Sequence, residues 1–488
     1  MKPADRITER PSSTWWHGPL VLIFFVGLRL LFVPATEPVL HPDSYVYMSE
    51  ANQSYSDLLA SFAGKPTWRP ATYPLFLKLC GVQEATDVNE LRRVILLQVL
   101  ITSFAFAVFS LAMARHGCRT RGGRIMMICL LALLSLTIFA GPWDGAILSE
   151  SLSLALLLII CTAIVSLRGT RPVPPTVEAD AVECESNGTN ATSPRYLVVL
   201  LILCVLIALF QQLRDANVPI VACLSSLMVI YFAARFRRWS RPTRIATALW
   251  LAILAGLSLA QSRAAIASGR ADWPLTNALS LRVWQMPGGF ETFTSDYGLP
   301  ATLQPLVGRF VWDGWRDQPE YMNWLAERGR RSYLQFLYSN PAYIWQEANA
   351  AFRFAAEDAT GNELERYFHP SEGSPPLRLH LARATTDLLT LPQRLLTAAL
   401  GHHFFWPILG CLIILAAVIL LREQQIGLLA AGTVLALLLI VQVLTTMFLD
   451  ACEDSRHNVL AYFVMVLLFW SPVVILIDDI AARREAAD

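Results

Sequence analysis

The chain reads as an all-α polytopic membrane protein, a bundle of about ten transmembrane helices with juxtamembrane helices in its first outer loop and a mostly helical outer loop domain. Three observations predict this. Of 488 residues, 55% are hydrophobic and 16% charged, with a mean hydropathy of +0.45, whereas a soluble domain carries about 25% charged residues. Apolar runs long enough to cross a hydrocarbon core of about 30 Å recur near 17–35, 92–113, 125–142, 145–167, 196–213, 217–234, 245–262, 402–421, 426–448 and 458–477. The loops between them alternate in basic content. Arg6 and Arg10, the Arg115 to Arg124 cluster, Arg168, Arg171 and Arg195, the Arg235 to Arg244 cluster, Arg422, and Arg483 with Arg484 all fall on one side. The positive-inside rule makes that side cytoplasmic, with both termini. The expected location is the inner (plasma) membrane, multi-pass, with the odd-numbered loops and the active site extracytoplasmic.

Taken in order, residues 1–262 form an N-terminal transmembrane module. Its first run could be a signal peptide, with VPA before Thr36 as a cleavage site, but Arg29 inside the run argues for a retained span. Arg29 itself is expected to snorkel or to pair near a helix end rather than to carry function. The first outer loop, 36–91, holds a helix predicted over 44–62, too polar to span and so lying on the membrane. Residues 168–195, rich in Pro, Ser, Thr, Asn and Glu, read as a flexible cytoplasmic linker. The segment 263–400 carries Trp273, Trp284, Trp312, Trp315, Trp324 and Trp345 with mixed charge, and reads as an ordered extracytoplasmic domain. Within it Pro341 opens a helix, and 377–396 runs as an amphipathic surface helix. Residues 401–488 supply the C-terminal transmembrane helices.

Several functions are excluded or left without support. A net charge of +1 lacks the basic excess that nucleic-acid binding requires. The cysteines do not form a disulfide framework: only Cys80 and Cys452 fall on the outer side, where a bridge is possible and two free thiols are expected. No CxxC or HExxH motif is present, and His402 with His403 reads as an interfacial pair rather than a metal site.

The polar residues of the outer face carry the chemistry. Asp43 is followed at helical spacing by Tyr47 and Glu50, which puts the three on one face; an N-cap role for Asp43 is the plainer alternative. Arg69-Pro-Ala-Thr-Tyr73-Pro74 forms a stiff turn delivering a guanidinium and a phenol. Glu150 is a carboxylate at the outer end of a span, a functional residue by default. Arg214 and Asp215 sit in one turn and could pair with each other, and Arg456 with His457 occupies the last outer loop. One carboxylate with several cations at a lipid boundary suits sugar transfer from a polyprenyl phosphate. The phosphate leaves as an anion and needs guanidinium neutralisation, while the carboxylate takes the acceptor's proton and the anomeric centre inverts.

On these marks the chain resembles the GT-C integral-membrane glycosyltransferases, most of all the prokaryotic branch of family 39 that is similar to protein O-mannosyltransferases and lipid A aminoarabinose transferases. The matching stretches are Asp43 with Tyr47, RPATYP, SESL at Ser149 to Leu152, QLRDAN, NPAYIW and SRHN. The resemblance implies Asp43 as catalytic base and Arg214 or Arg456 as the basic residue that holds the donor phosphate, with a polyprenyl-phosphate-linked sugar as donor and a lipid, glycan or protein as acceptor. From their places on the outer face, Tyr47, Glu50, Tyr73 and Glu150 are expected to shape the acceptor site or cavity, and Arg69 and His457 to join Arg214 and Arg456 around the donor phosphate. The family often has Asp-Glu where this chain has Asp43-Ser44, which leaves the acceptor and any divalent metal open. A polysaccharide ligase or polymerase with a lipid-linked donor is the nearest alternative. A polytopic transporter is further off, because no internal repeat is seen.

Overall fold

The computed structural model describes residues 17–32, 38–82, 87–166, 194–215, 217–222, 225–226, 241–358, 377–400, 410–412, 414–416, 426–449 and 458–486. Among these the ordered elements are helices and no strand occurs; a lone bridge joins Val39 to Ala146. The long helices are α1 (His17–Phe32), α5 (Val88–Gly117), α6 (Arg121–Leu136), α7 (Glu150–Ser166), α8 (Pro194–Gln211), α9 (Arg241–Ala267), α16 (Ile426–Leu449) and α17 (Val459–Glu485). Between them lie α2 (Pro42–Ala51), α3 (Tyr55–Phe62) and α4 (Thr72–Leu79), and then the loop domain. That domain contains α10 (Asp272–Leu281), α11 (Gly289–Tyr297), α12 (Pro319–Trp324), α13 (Arg330–Ser339), α14 (Pro341–Asp358) and α15 (Leu377–Leu400).

Among the described residues three helices are long and apolar enough to cross a membrane, Val88–Gly117, Arg244–Ala267 and Val459–Glu485, which points to a membrane protein. Shorter apolar helices stand at Gly18–Leu30, Glu150–Ser166, Leu201–Gln211 and Leu435–Thr445. Of the linker expected over 168–195, residues 168–193 lie outside the described residues and Pro194 and Arg195 open α8; most of the apolar runs at 217–234 and 402–421 and the His402 and His403 pair also lie outside them.

α5 organises the bundle, packing on α1, α6 and α7. Asp87 caps it, accepting from Asn89 N at 2.8 Å, and Arg115 with His116 closes it, the charge order its dipole favours. Its buried face is rich in small residues, Ser103, Ala105, Ala107, Ser110, Ala112 and Ala114. In lipid, where apolar contact alone does not drive association, small residues let backbones approach closely. The opposite face shows Leu96, Leu97, Leu100 and Phe104. At the far end of α5, Asp478 of α17 accepts from Thr120 N at 2.9 Å, Thr120 Oγ1 at 2.6 Å and Arg119 N at 2.6 Å. Gly123 makes this possible, because a methyl group there would collide with the Asp478 carboxylate. One end of the bundle therefore gathers Arg119, the basic α5–α6 turn and the C-terminus of α17.

The runs expected to span at 125–142 and 145–167 part company with the structure. The chain leaves helix after Leu136, passes through an irregular segment with a 3-10 turn at Pro142–Gly145, and becomes helical again at Glu150. Its apolar residues Ile138, Phe139, Ile147 and Leu148 are buried in protein rather than in a helix facing lipid. Non-helical backbone is tolerated at such depth only where other groups satisfy it. Arg29 Nη1 donates to Ser135 O at 3.0 Å, Gln98 Nε2 to Asp144 O and Ala146 O, each at 2.9 Å, and Trp143 Nε1 to Ile138 O at 3.0 Å. Arg29 does not snorkel. It is buried, its Nε 2.8 Å from Asp144 Oδ2, and that carboxylate also accepts from Thr102 Oγ1 at 2.8 Å and from Ser151 Oγ.

The loop domain has its own core. Trp284 sits 5.0 Å from Trp315, 5.9 Å from Phe293 and 6.2 Å from Trp324, ring centre to ring centre. Most polar ends are used, as buried indoles and phenols prefer: Trp324 Nε1 donates to Tyr297 O at 3.0 Å and Tyr321 OH meets Thr276 Oγ1 at 2.7 Å, while the buried Trp284 Nε1 has no hydrogen-bond partner among the described residues. Tyr333 OH ties the domain to the bundle by donating to Phe448 O of α16 at 2.7 Å. α14 begins at Pro341, as expected. α15 extends to Leu400 and packs on α6, with Trp470 Nε1 donating to Leu389 O at 2.8 Å.

Candidate active site

At the bundle end remote from Asp478 lies a cavity of about 1050 Å³, bounded by α2, the Trp68 to Pro70 turn, the turn after α8, the end of α9 and the loop domain. Asp43, Tyr47, Glu50, Arg69 and Arg214 line it.

α2 presents the first three. The helix expected over 44–62 is instead two, broken at Asn52 to Ser54 where Ser54 caps α3 by accepting from Asp57 N at 3.1 Å. The N-cap of α2 is His41, not Asp43: His41 Nδ1 accepts from Asp43 N at 3.4 Å, and Ser44 Oγ accepts from His41 N at 2.9 Å. The Asp43 side chain is thereby directed elsewhere, into an ion pair with Arg69. Both members keep some solvent contact, at 20% for Asp43 and 28% for Arg69. One turn on, the Tyr47 ring lies under the Arg69 guanidinium at 5.4 Å, and its OH meets Ser149 Oγ at 3.1 Å. Burial raises its phenol above the ordinary value of 10.0, against the pull of Arg69. Glu50 is also buried. Its Oε1 accepts from Trp68 N at 2.7 Å and its Oε2 from Gln53. Desolvation holds its carboxyl above the ordinary 4.5, outweighing the Trp68 N–H, Arg270, Arg69 and Lys65.

Two expected cavity residues stand one layer behind. Tyr73 is fully buried; its ring meets Tyr47 edge-on at 4.9 Å and its OH donates to Gln98 Oε1 at 2.8 Å. Glu150, at the start of α7, is buried beneath Arg214, with Oε1 3.5 Å from Nη2. Arg214 and Asp215 do not pair with each other. Asp215 takes Arg270 Nε at 2.8 Å and Gln261 Nε2 at 3.0 Å. The reason is geometric: the turn after α8 sends its two side chains to opposite neighbours. Arg456, His457 and Cys452 lie outside the described residues; Cys80 is a free thiol that burial pushes up to about 11.

Sequence reasoning missed the contribution of the loop domain to this cavity. Arg270 is a three-way tie, bonded to Thr67 O as well as to Asp215. Arg316 lies 4.7 Å over the Trp273 ring, and Arg330 pairs with Asp272. Trp68, Trp273 and Trp312 complete an aromatic wall. The only signal was the density of Trp and Arg directly after the α9 run. Five arginines, Arg69, Arg214, Arg270, Arg316 and Arg330, face three carboxylates, Asp43, Glu50 and Asp215. Glu150 behind Arg214 and Asp272 beside Arg330 bring the carboxylates to five, so most of these arginines are already paired, and Arg316 is the lining arginine without a carboxylate partner among the described residues. Among the described residues no three His, Cys, Asp or Glu side chains converge as a metal site would need. No family model, curated protein or solved structure matches the chain.

Proposed function

We propose that the chain is a membrane glycosyltransferase of the GT-C kind, similar to family 39, moving a sugar from a polyprenyl-phosphate donor to an acceptor hydroxyl. The observation that carries the reading is the Asp43–Arg69 pair, partly exposed in a large cavity that also holds Arg316, which has no carboxylate partner among the described residues. In this mechanism the acceptor oxygen attacks the anomeric carbon while its proton passes to Asp43. The bond from that carbon to the phosphate oxygen breaks, and its electron pair leaves on the phosphate. Arg214, held from behind by Glu150, and Arg316 neutralise that charge. Among the described residues Arg316 is the lining arginine without a carboxylate partner. Arg69 orients Asp43 and supplies a further cation beside it for the phosphate. Val218, Pro219, Ala265 and Ile266 form an aliphatic wall suited to the prenyl chain.

The same reading takes the bundle as ten spans with both termini cytoplasmic and the cavity opening outside the inner membrane. The clustering of Arg119 with the C-terminus of α17 at the end opposite the cavity supports that orientation. The test is transfer by purified wild type and Asp43→Asn over a panel of polyprenyl-phosphate sugars, followed by mass spectrometry. A loss of about 10²–10⁴-fold is expected for the variant, the range for a positioned proton acceptor. Full activity in folded Asp43→Asn would remove the base from the mechanism.

A further inference from the structure

The cavity has two chemically different walls, and the transferase reading gives no role to the indoles of one of them. Beside the aliphatic wall from the turn after α8 and the end of α9 stands an aromatic one built from three separate segments. Trp68 comes from the first-loop turn, Trp273 from the start of α10, and Trp312 from a kinked turn at Val311–Trp315. These indoles differ from those of the loop-domain core. Trp284, Trp315 and Trp324 are buried, whereas Trp68 is 47% and Trp312 is 54% exposed.

Each presented ring is braced. Trp312 stacks on Phe310 with centroids 4.9 Å apart and planes 5° from parallel. Trp68 leans on Trp273 at 5.8 Å, and Trp273 is in turn covered by the Arg316 guanidinium. A kink in the backbone is what separates Trp312 from Trp315: Asp313 lies at ψ 38° and Gly314 at φ +110°, a conformation favouring glycine, so that one indole enters the core while the other faces the cavity. The polar side chains Gln261, Asn277 and Arg316 share the lining with the rings.

We infer that this wall is a saccharide platform, and that the acceptor of the proposed reaction is a glycan whose sugar rings stack on Trp68 and Trp312. The inference rests on the transferase reading for the word acceptor, and its binding test does not. A pyranose has one face of C–H groups carrying partial positive charge, which suits the negative face of an indole, and a rim of hydroxyls that suits amide and guanidinium groups. A prenyl chain has no use for cations between the rings, and the aliphatic wall already suits it. An interfacial belt would set its indoles around the lipid-facing perimeter, not in a cavity beside five arginines.

The experiment is saturation-transfer NMR and direct titration of the full-length protein in detergent. One arm uses neutral hexose oligomers of gluco, manno and galacto configuration, and the other uses farnesyl phosphate. At least one oligomer is expected to bind with its ring C–H protons most strongly saturated. Trp312→Ala and Trp68→Ala should each weaken that binding about tenfold, and Trp312→Phe should restore most of it, as expected for stacking. Farnesyl phosphate affinity should change less than about twofold in these variants, since no indole is asked to hold it. Melting curves confirm that each variant is folded. Oligomers that bind folded Trp312→Ala and Trp68→Ala as well as wild type overturn the platform. Failure of every oligomer to bind wild type overturns it too, whether or not farnesyl phosphate binds. Oligomer binding lost with the indoles, in a protein that ignores farnesyl phosphate, keeps the platform and removes the polyprenyl donor.

Discussion

Two arginine–aspartate pairs of the same chemistry stand in this protein in opposite surroundings. Arg29 and Asp144 are 1% and 0% exposed, while Arg69 and Asp43 are 28% and 20% exposed. The first pair has its hydrogen-bonding capacity engaged by Ser135, Ala140, Thr102 and Ser151. It has no access to a ligand, and its effect is to hold the irregular 137–149 segment in shape. The second shares its cavity with a large volume and further cations, so its members can exchange partners when a substrate arrives. Accessibility, not the pairing itself, separates a brace from a candidate for chemistry.

The sharpest way to break this comparison is Asp144→Ala, which leaves the Arg29 guanidinium buried without its counter-charge. Stability should fall by about 3–5 kcal/mol, read from thermal unfolding in detergent, and Arg29→Leu with Asp144→Leu should recover much of it. A single variant as stable as wild type would make the buried pair incidental. Arg270→Ala comes next. It removes the tie among Thr67, Asp215 and the loop domain, and a loss of about 1.5–3 kcal/mol is expected for bonds made by a charged group. Farnesyl phosphate binding should weaken alongside, because the Trp68 to Pro70 turn loses its support. Asp43→Asn should change unfolding by less than about 1 kcal/mol, since solvent screens a partly exposed pair, while abolishing transfer. A large stability loss there would place Asp43 with the braces.

The smallest expected effect is a pH slope at Glu50. Its native carboxyl lies above the ordinary 4.5 because burial disfavours the charge. Its contribution to stability is therefore fully present below about pH 4.5 and is lost as pH rises through the native value. Plotted as wild type minus Glu50→Gln, melting temperature should decline across that window. A rising difference would mean that Arg69, Arg270 and Lys65 dominate over desolvation.

How much of this was legible beforehand varies by residue. Asp43, Tyr47 and Glu50 share a face through helical spacing alone, and Pro70 marks the Arg69 turn, but the turn expected to run on to Pro74 ends earlier, because Tyr73 and Pro74 already belong to α4. That Glu150 would sit beneath Arg214, or that His41 rather than Asp43 would cap α2, depends on contacts between residues far apart or on one side-chain torsion. Asp144 went unnoticed because an apolar stretch buried in protein and one facing lipid have the same composition.

By itself the sequence determined the all-helical character, the membrane-length apolar helices, the face of α2 that carries the acids and the start of α14. All are local consequences of periodicity, apolar length and backbone chemistry. Only the tertiary structure decided that Arg29 finds Asp144, that the loop domain lends Arg270, Arg316 and Trp312 to the cavity, and that Tyr73 withdraws behind Tyr47. A buried charge requires a partner wherever the fold can supply one, and which segment supplies it is written in no single stretch of chain.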